Sequence, residues 1–258
     1  MITIQNLNFN YFHFQVLKNI NLTIEKNEKV LLVGHNGAGK STLLRVICGL
    51  HMSRNYDSFA VMGSGAPNNQ FNGLVFLADR WVRNTNFVGI HPFKMDILVR
   101  NMSKKLQEDY IDRRNDLLNV LDIDLDWRMH KVSDGERKRV QIMLNLLKPF
   151  KLVIIDEFLN DLDIIVKDRL FQYLDKEIKL HDGSIVFATH VFDNMHNWAT
   201  HIIFMENGTC HSKQNMKDFC QSDLYNRVKE KMMLLDKKME TPTISYGPQM
   251  GYGSGRLV

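Results

Sequence analysis

Eight residues constrain this chain more than any other stretch: Gly34 to Ser41, reading GHNGAGKS, with the apolar run Val30–Val33 in front and the helix-forming Ser41–Cys48 behind. A strand that turns through G-x-x-x-x-G-K-[ST] into a helix has the form of a phosphate cradle. Glycines at 34, 37 and 39 let the backbone curl until consecutive N–H groups point inward, and the N-terminus of the following helix adds partial positive charge. Lys40 supplies a full charge for β- and γ-phosphates, and the Ser41 hydroxyl is a natural Mg2+ ligand. The candidate nucleotide-binding residues are therefore Gly34, His35, Asn36, Gly37, Ala38, Gly39, Lys40, Ser41 and Thr42. His35 is given a backbone contact only.

A nucleotide site needs a second contact to its metal, and KLVIIDE at 151–157 offers one. Leu152–Ile155 read as a buried strand that delivers Asp156 and Glu157 at its carboxyl end, the edge where open α/β sheets bind ligands. Asp156 is placed to hold Mg2+ through water, and Glu157 to polarise an attacking water. An apolar strand ending in acid is common in α/β proteins, so this segment draws its weight from the glycine loop.

The rest of the chain supplies the frame. Runs at Ile2–Phe9, Ile20–Ile24, Val30–Val33, Phe59–Met62 and Leu74–Leu77 predict strands, interrupted by one helix that ends at Gly49. From about 81 to 149 the pattern turns helical and polar, with Leu106, Tyr110, Leu117 and Leu121 at helical spacings. A strand (Leu152–Ile155), a helix (Ile164–Ile178), a strand (Ile185–Ala188) and a hairpin turning at Asn207-Gly208 follow. Residues 215–240 read as one charged amphipathic helix, and 241–258 as a tail containing glycine and proline. Strands interleaved with helices predict an α/β fold, here one domain over 1–240 with a helical subdomain inserted at about 81–149.

Composition sets the outer limits. At 258 residues, 44% apolar and 24% charged, the chain can build its own core. Cys48, Cys210 and Cys220 include no C-x-x-C, which speaks against a disulfide framework or a zinc ribbon. Apolar runs are strand-sized, far short of the roughly 18–20 residues of a membrane span. The opening MITIQNLNFNY alternates from its start, which predicts no leader and no insertion into a membrane. A net charge of +4 gives no reason to expect nucleic acid as a partner. Asp122, Asp124 and Asp126 begin like a calcium loop, but Trp127 and Ser133 stand where glycine and glutamate are required. Arg128, Lys131, Arg137, Lys138 and Arg139 read as a solvated helix face or as counter-charge to phosphate.

With the glycine loop and the acidic strand end, three further segments in order and spacing resemble the ATP-binding-cassette (ABC) ATPases. VSDGE at 132–136 resembles the signature loop LSGGQ; NDLD at 160–163 resembles the D-loop; His190, in FATH, stands where the family keeps its switch histidine. Tyr11, 23 residues before Gly34, stands where the family places an aromatic that stacks on adenine, and strand alternation would let only Tyr11 or Phe12 face that site. Ser133 and Glu136 have the spacing of a capping box that opens the helix running to Leu147. The resemblance implies a P-loop NTPase core with an antiparallel β subdomain and a helical subdomain. It implies ATP and Mg2+ as ligands, Ser41 and Asp156 on the metal, and Glu157 and His190 as catalytic residues. It also implies that Ser133 and Gly135, with Asp163, act at the ATP of a second copy, in a head-to-tail nucleotide-sandwich dimer.

Three departures bear on function. Asp134 replaces a signature glycine, Glu136 replaces the signature glutamine, and the glutamine expected after Leu74–Leu77 is missing, the chain reading LADRW to Trp81. FLADRW, WRMHKVSDG, IIDEFLNDLD, ATHVFDN and the GYGSGRL tail are similar to the soluble ABC proteins without membrane domains, a branch whose best-known member is associated with the carbon-catabolite-repressor–NOT complex. The expectation is an ATP-hydrolysing homodimeric clamp in a transcription or mRNA regulatory complex, in the cytoplasm and nucleus. The alternatives are the cassette of a transporter with separate membrane subunits and an ATP-dependent binding module with little turnover.

Overall fold

Alternation at the N-terminus folds as a long hairpin. β1 (Ile2–Tyr11) and β2 (Phe14–Ile24) pair antiparallel, Ile2 opposite Ile24 and Tyr11 opposite Phe14. Both strands exceed the predicted runs, because shifts of register between Ile4 and Asn10 absorb bulged residues that break the alternation. Asn6 and Asn19 take left-handed φ of 52° and 46°, which asparagine tolerates. Phe12 is not on a strand: it turns the hairpin at φ 50° and is 98% exposed. The alternation that set Phe12 against Tyr11 therefore does not operate.

The computed structural model describes residues 1–65, 72–78, 96–159, 162–192, 195–220 and 223–237. After the hairpin come β3 (Lys29–Val33), α1 (Lys40–Ile47), β4 (Ser58–Val61), β5 (Ser64–Gly65) and β6 (Leu74–Ala78). A helical stretch follows: a 3-10 turn at Val99–Asn101, α2 (Lys104–Asp109), α3 (Ile111–Leu121) and α4 (Asp134–Leu146). The chain then runs through β7 (Leu152–Asp156), α5 (Ile164–Leu180), β8 (Ser184–Ala188), α6 (Met195–Trp198), β9 (His201–Glu206) and β10 (Thr209–Cys210). It ends in β11 (Gln214–Asn215), α7 (Met216–Phe219) and α8 (Leu224–Lys237).

Among the described residues the strands form two sheets. The larger is ordered β10-β9-β3-β8-β7-β6, with β11 also against β9, and its pairings from β9 to β6 are parallel. The smaller, β2-β1-β4-β5, is antiparallel. Strands of the parallel sheet are buried on both faces, which is why they read as unbroken apolar runs. Their residues alternate between two cores. Leu31, Val33, Val153, Ile155, Ile185 and Phe187 pack with Leu117, Val140, Leu170 and Val228 of the helices. Val30, Leu32, Leu152, Ile154, Val186 and Ala188 pack with α1 and the small sheet.

The helical stretch lies between β6 and β7, which are neighbours in the sheet. Its predicted periodicity is interrupted at Tyr110, whose φ of −125° and ψ of 49° separate α2 from α3, while Leu117 and Leu121 are fully buried. The predicted helix over 215–240 is likewise broken. Asn215 caps α7 by accepting from Lys217 N at 2.9 Å, Cys220 is extended at φ −153°, and Asp223 accepts from Asn226 N as α8 begins. The 241–258 tail and most of the LADRW segment, Asp79 to Trp81, fall outside the described residues. No described helix is long and apolar enough to cross a membrane.

One buried ion pair joins three helices of the larger core. Arg113 on α3 meets Glu177 on α5 at 2.5 Å, its Nε donates to Leu146 O of α4 at 2.7 Å, and its guanidinium lies over the Phe150 ring. Their side chains are only 14% and 9% exposed. Arg113→Ala leaves the Glu177 carboxylate buried without its counter-ion, at an expected cost of about 3–5 kcal/mol. Arg113→Met with Glu177→Leu is expected to recover most of that loss, as read from urea unfolding midpoints.

Candidate nucleotide-binding site

Three neighbouring parallel strands deliver the site. β7, β8 and β3 stand side by side, with Asp156 opposite Ala188 and Ala188 opposite Leu32. Their carboxyl ends release the glycine loop, the pair Asp156–Glu157 and the Thr189–His190 turn onto one edge of the sheet.

The loop closes around its own lysine. Gly39 takes φ 102° immediately before α1, a conformation that L side chains rarely adopt. At Gly34 a Cβ would sit 2.2 Å from Met205 O, so the backbone passes β9 at a distance only glycine allows. The Asn207-Gly208 hairpin, at φ 47° and 81°, clasps the loop from the far side: Gly208 N donates to Ala38 O at 3.0 Å, and Lys18 N of β2 donates to Gly208 O at 2.7 Å. Lys40 is 5% exposed and its Nζ donates to Gly34 O at 2.7 Å and His35 O at 3.1 Å. Burial lowers its pKa, against the upward pull of Glu157 and Asp156. His35 accepts through its carbonyl from Lys40 Nζ and from Ala38 N, each at 3.1 Å. Asn36 and Gly37 are exposed at the loop's crest, and Thr42 is buried in the first turn of α1.

The acids sit on the lysine's other side. Asp156, 8% exposed, accepts from Ser41 Oγ at 2.9 Å. Burial raises its pKa, with the Ser41 bond and Arg45 working the other way. An adjacent hydroxyl and carboxylate are hard oxygen donors that fit Mg2+, which takes one or two protein ligands and fills its shell from phosphate and water. Glu157 leaves the sheet at φ 56°, an unusual conformation for glutamate, held by its N–H donating to Ala188 O at 2.9 Å. That turn brings Glu157 Oε1 within 2.9 Å of His190 Nε2 and 3.8 Å of Lys40 Nζ. His190 is fixed in turn by Thr189, whose Oγ1 accepts from Val191 N at 3.0 Å, and its Nε2 lies 3.4 Å from Lys40 Nζ. Glu157 and His190 remain 38% exposed, open to a ligand on the loop.

The signature residues and Asp163 are fixed by partners of their own. Ser133 caps α4 in a complete capping box, its Oγ accepting from Glu136 N at 3.2 Å and its N–H donating to Glu136 Oε2 at 2.8 Å. Gly135 is in the first turn of that helix. Asp134, the residue in place of glycine, is paired with Arg137 at 2.5 Å, so its charge is locally offset. Asp163 caps α5 by accepting from Val166 N at 2.9 Å and is bound by Arg139 of α4 at 2.6 Å. Those backbone bonds and Arg139 hold its carboxyl below the usual range. Asn160 and Asp161 of the D-loop resemblance lie outside the described residues. Tyr11 ends β1, 37% exposed, its hydroxyl 2.8 Å from His51 Nε2. The sequence reading missed His51 and the Arg139–Asp163 link: their partners are 40 and 24 residues away, with no spacing signature to join them.

A glycine loop gripping a lysine, a hydroxyl–carboxylate pair and a carboxylate–histidine pair, all at the carboxyl edge of a parallel sheet, define a P-loop nucleoside triphosphatase. Residues 17–160 match the ABC transporter family, and the chain belongs to that family as an ATP-binding, ATP-hydrolysing cassette. Among its relatives, ABC transporter I family member 20 of Arabidopsis thaliana is 39% identical over 198 residues, 75% of this chain and 60% of that protein. CCR4-associated factor 16 of Saccharomyces cerevisiae is 34% identical over 205 residues, 73% of this chain and 69% of that protein. Of solved structures, the dimeric ATP-binding cassette MJ0796, in a post-hydrolysis state bound to ADP and Pi, superposes with a TM-score of 0.65 at 19% identity, over 84% of this chain and 99% of that one. That likeness is one of fold.

Because burial holds the Asp156 carboxyl above its ordinary range, its ionised form weakens the folded chain at neutral pH. The handicap is relieved as pH falls through the raised folded pKa, and it is gone once the residue is protonated in both states. Asp156→Asn is therefore expected to raise the melting temperature of the nucleotide-free protein at pH 7 by roughly 2–4 °C. The advantage should vanish below about pH 4. Scanning calorimetry between these pH values checks the sign, and the same variant should lose stabilisation by ATP with Mg2+.

Proposed function

We propose that the chain acts as an ATP-driven homodimeric clamp on a soluble transcription or mRNA regulatory complex, in the cytoplasm and nucleus. The observation that carries the ATP-driven part is the Glu157–His190 pair, 2.9 Å apart and reaching Lys40 within the glycine loop. In this reading the N–H groups of Gly34–Thr42 and the Lys40 ammonium take the triphosphate, and Tyr11 stacks on adenine. Ser41 and Asp156 hold Mg2+, which when bound neutralises charge on the β- and γ-phosphates. Glu157 accepts the proton of the attacking water, and His190, bonded to Glu157, keeps that carboxylate aimed at the γ-phosphate.

The second copy enters because one chain carries one glycine loop and one signature. Ser133 is exposed and its described side-chain bonds run to Glu136; in this reading the N-terminus of α4 meets a neighbour's triphosphate. Arg137 offsets the charge of Asp134 there. Asp163, which caps α5 and is bound by Arg139 of α4, links the D-loop to the signature helix so that both would approach the neighbour together. Support for the dimer comes from MJ0796, a dimer in its post-hydrolysis structure, and support for the regulatory setting from the likeness to CCR4-associated factor 16.

Glu157→Gln tests the clamp. The substitution keeps shape and hydrogen-bonding reach but removes the proton acceptor, so hydrolysis should fall by about 10²–10⁴ while ATP binding survives. In sedimentation the variant should run as a dimer with ATP and Mg2+ and as a monomer with ADP. A monomer under saturating ATP would rule the clamp out. Co-purification of the ATP-locked variant then addresses its partners: soluble regulatory factors are expected, and polytopic membrane proteins would point to a transporter instead.

A further inference from the structure

The ring assigned to the base is held by a residue at the opposite end of the phosphate-binding helix. α1 stops at Gly49, left-handed at φ 72°, and the N–H groups of Leu50 and His51 return to Arg45 O at 2.8 and 3.3 Å. This closing turn fixes the backbone from which the His51 side chain departs. The imidazole lies stacked on Phe9, centroids 5.7 Å apart and planes 27° from parallel, and its Nε2 pairs with the Tyr11 hydroxyl at 2.8 Å. Tyr11 meets Phe9 at 88° and His51 at 87°, with centroids 5.0 and 5.4 Å apart. Neither neighbour lies parallel on Tyr11, and more than a third of its surface stays open. Burial and the nearby Arg45 hold the His51 pKa below its ordinary value, so the ring is neutral at pH 7 and one nitrogen can accept the hydroxyl proton.

We propose that His51 is a positioning residue for the nucleotide base, locking the Tyr11 ring in the orientation that stacks on adenine. The two ends of α1 then serve one ligand: Lys40, Ser41 and Thr42 take the phosphates, and the turn from Gly49 to His51 sets the base platform. An aromatic side chain near the tip of an exposed hairpin would otherwise lose rotamer freedom when it stacks, and holding it beforehand removes that cost from binding. The inference rests on the reading of Tyr11 as the stacking residue, and its test separates the two.

The experiment is calorimetric titration of the full chain with ATP and with tripolyphosphate, which carries the phosphates and no base. Tyr11→Ala should weaken ATP by about 10–100-fold, the loss of a base–aromatic stack, and leave tripolyphosphate unchanged. His51→Ala should weaken ATP by about 3–10-fold with tripolyphosphate again unchanged, and raise the KM for ATP without changing kcat. In a Tyr11→Ala background it should add nothing. His51→Phe keeps a ring on Phe9 and removes only the bond to Tyr11; it should shift ATP affinity in the same direction, which guards against a misfolded alanine variant. If Tyr11→Ala weakens ATP and neither His51 variant does, the positioning role is wrong and the stacking role stands. If Tyr11→Ala leaves ATP affinity unchanged, the stacking role fails and takes the inference with it. Equal losses for ATP and tripolyphosphate in the His51 variants would place the effect in α1 and overturn the proposal.

Discussion

The site depends on the register of three parallel strands. Leu32, Ala188 and Asp156 stand opposite one another across β3, β8 and β7, and each strand leaves the sheet within two residues of that line. A slip of one residue in β7 would turn Val153 and Ile155 out of the helical core and into the other, and carry the carboxylates to the wrong face. Register here is therefore enforced by burial on both faces. The chemistry inherits its geometry from packing, and the contacts among Lys40, Glu157 and His190 are made on loops already placed by the strands.

Within that frame the charges are arranged so that each limits the others. A buried lysine and a buried aspartate are both expensive, and burial pushes both toward neutrality. They persist because Lys40 is bound by two loop carbonyls and faces Glu157, and because Asp156 receives the Ser41 hydroxyl. These contacts are replaceable ones: phosphate oxygens can take the lysine, and a divalent cation the aspartate. Sites that trade internal partners for ligand in this way gain stability on binding and forgo it when empty.

Much of this could be read from the residues. GHNGAGKS, the acidic end of Leu152–Asp156, the Ser133–Glu136 capping box and the Asn207-Gly208 turn are local patterns, and each occupies its expected element. Where the reading stopped, the cause was long range or a broken period. The hairpin outran its alternation because Asn6 and Asn19 bulge; the helix expected over 215–240 stopped at Cys220, where an extended backbone interrupts an otherwise amphipathic run. Phe12 resembled a strand residue in composition and proved to be the turn. The partners of Tyr11 and Asp163 belong to elements that meet only in the folded chain, so periodicity and spacing carried no trace of His51 or Arg139.

The clasp between Gly208, Ala38 and Lys18 reaches beyond the site. A two-residue hairpin tip is ordinarily where a chain can be cut, re-ended or made to carry an inserted reporter, because little there is buried. At Gly208 a single added carbon would meet Val16 O at 2.1 Å, and the two backbone bonds of this residue tie the glycine loop to the first hairpin. Circular permutation or fusion at this tip would cut the tie that keeps the two sheets in step at the loop. The turn at Gly63 suits new termini better: an added carbon there meets no atom within 4 Å, and the backbone bond beside it, Met62 N to Met1 O at 2.7 Å, does not involve the glycine loop.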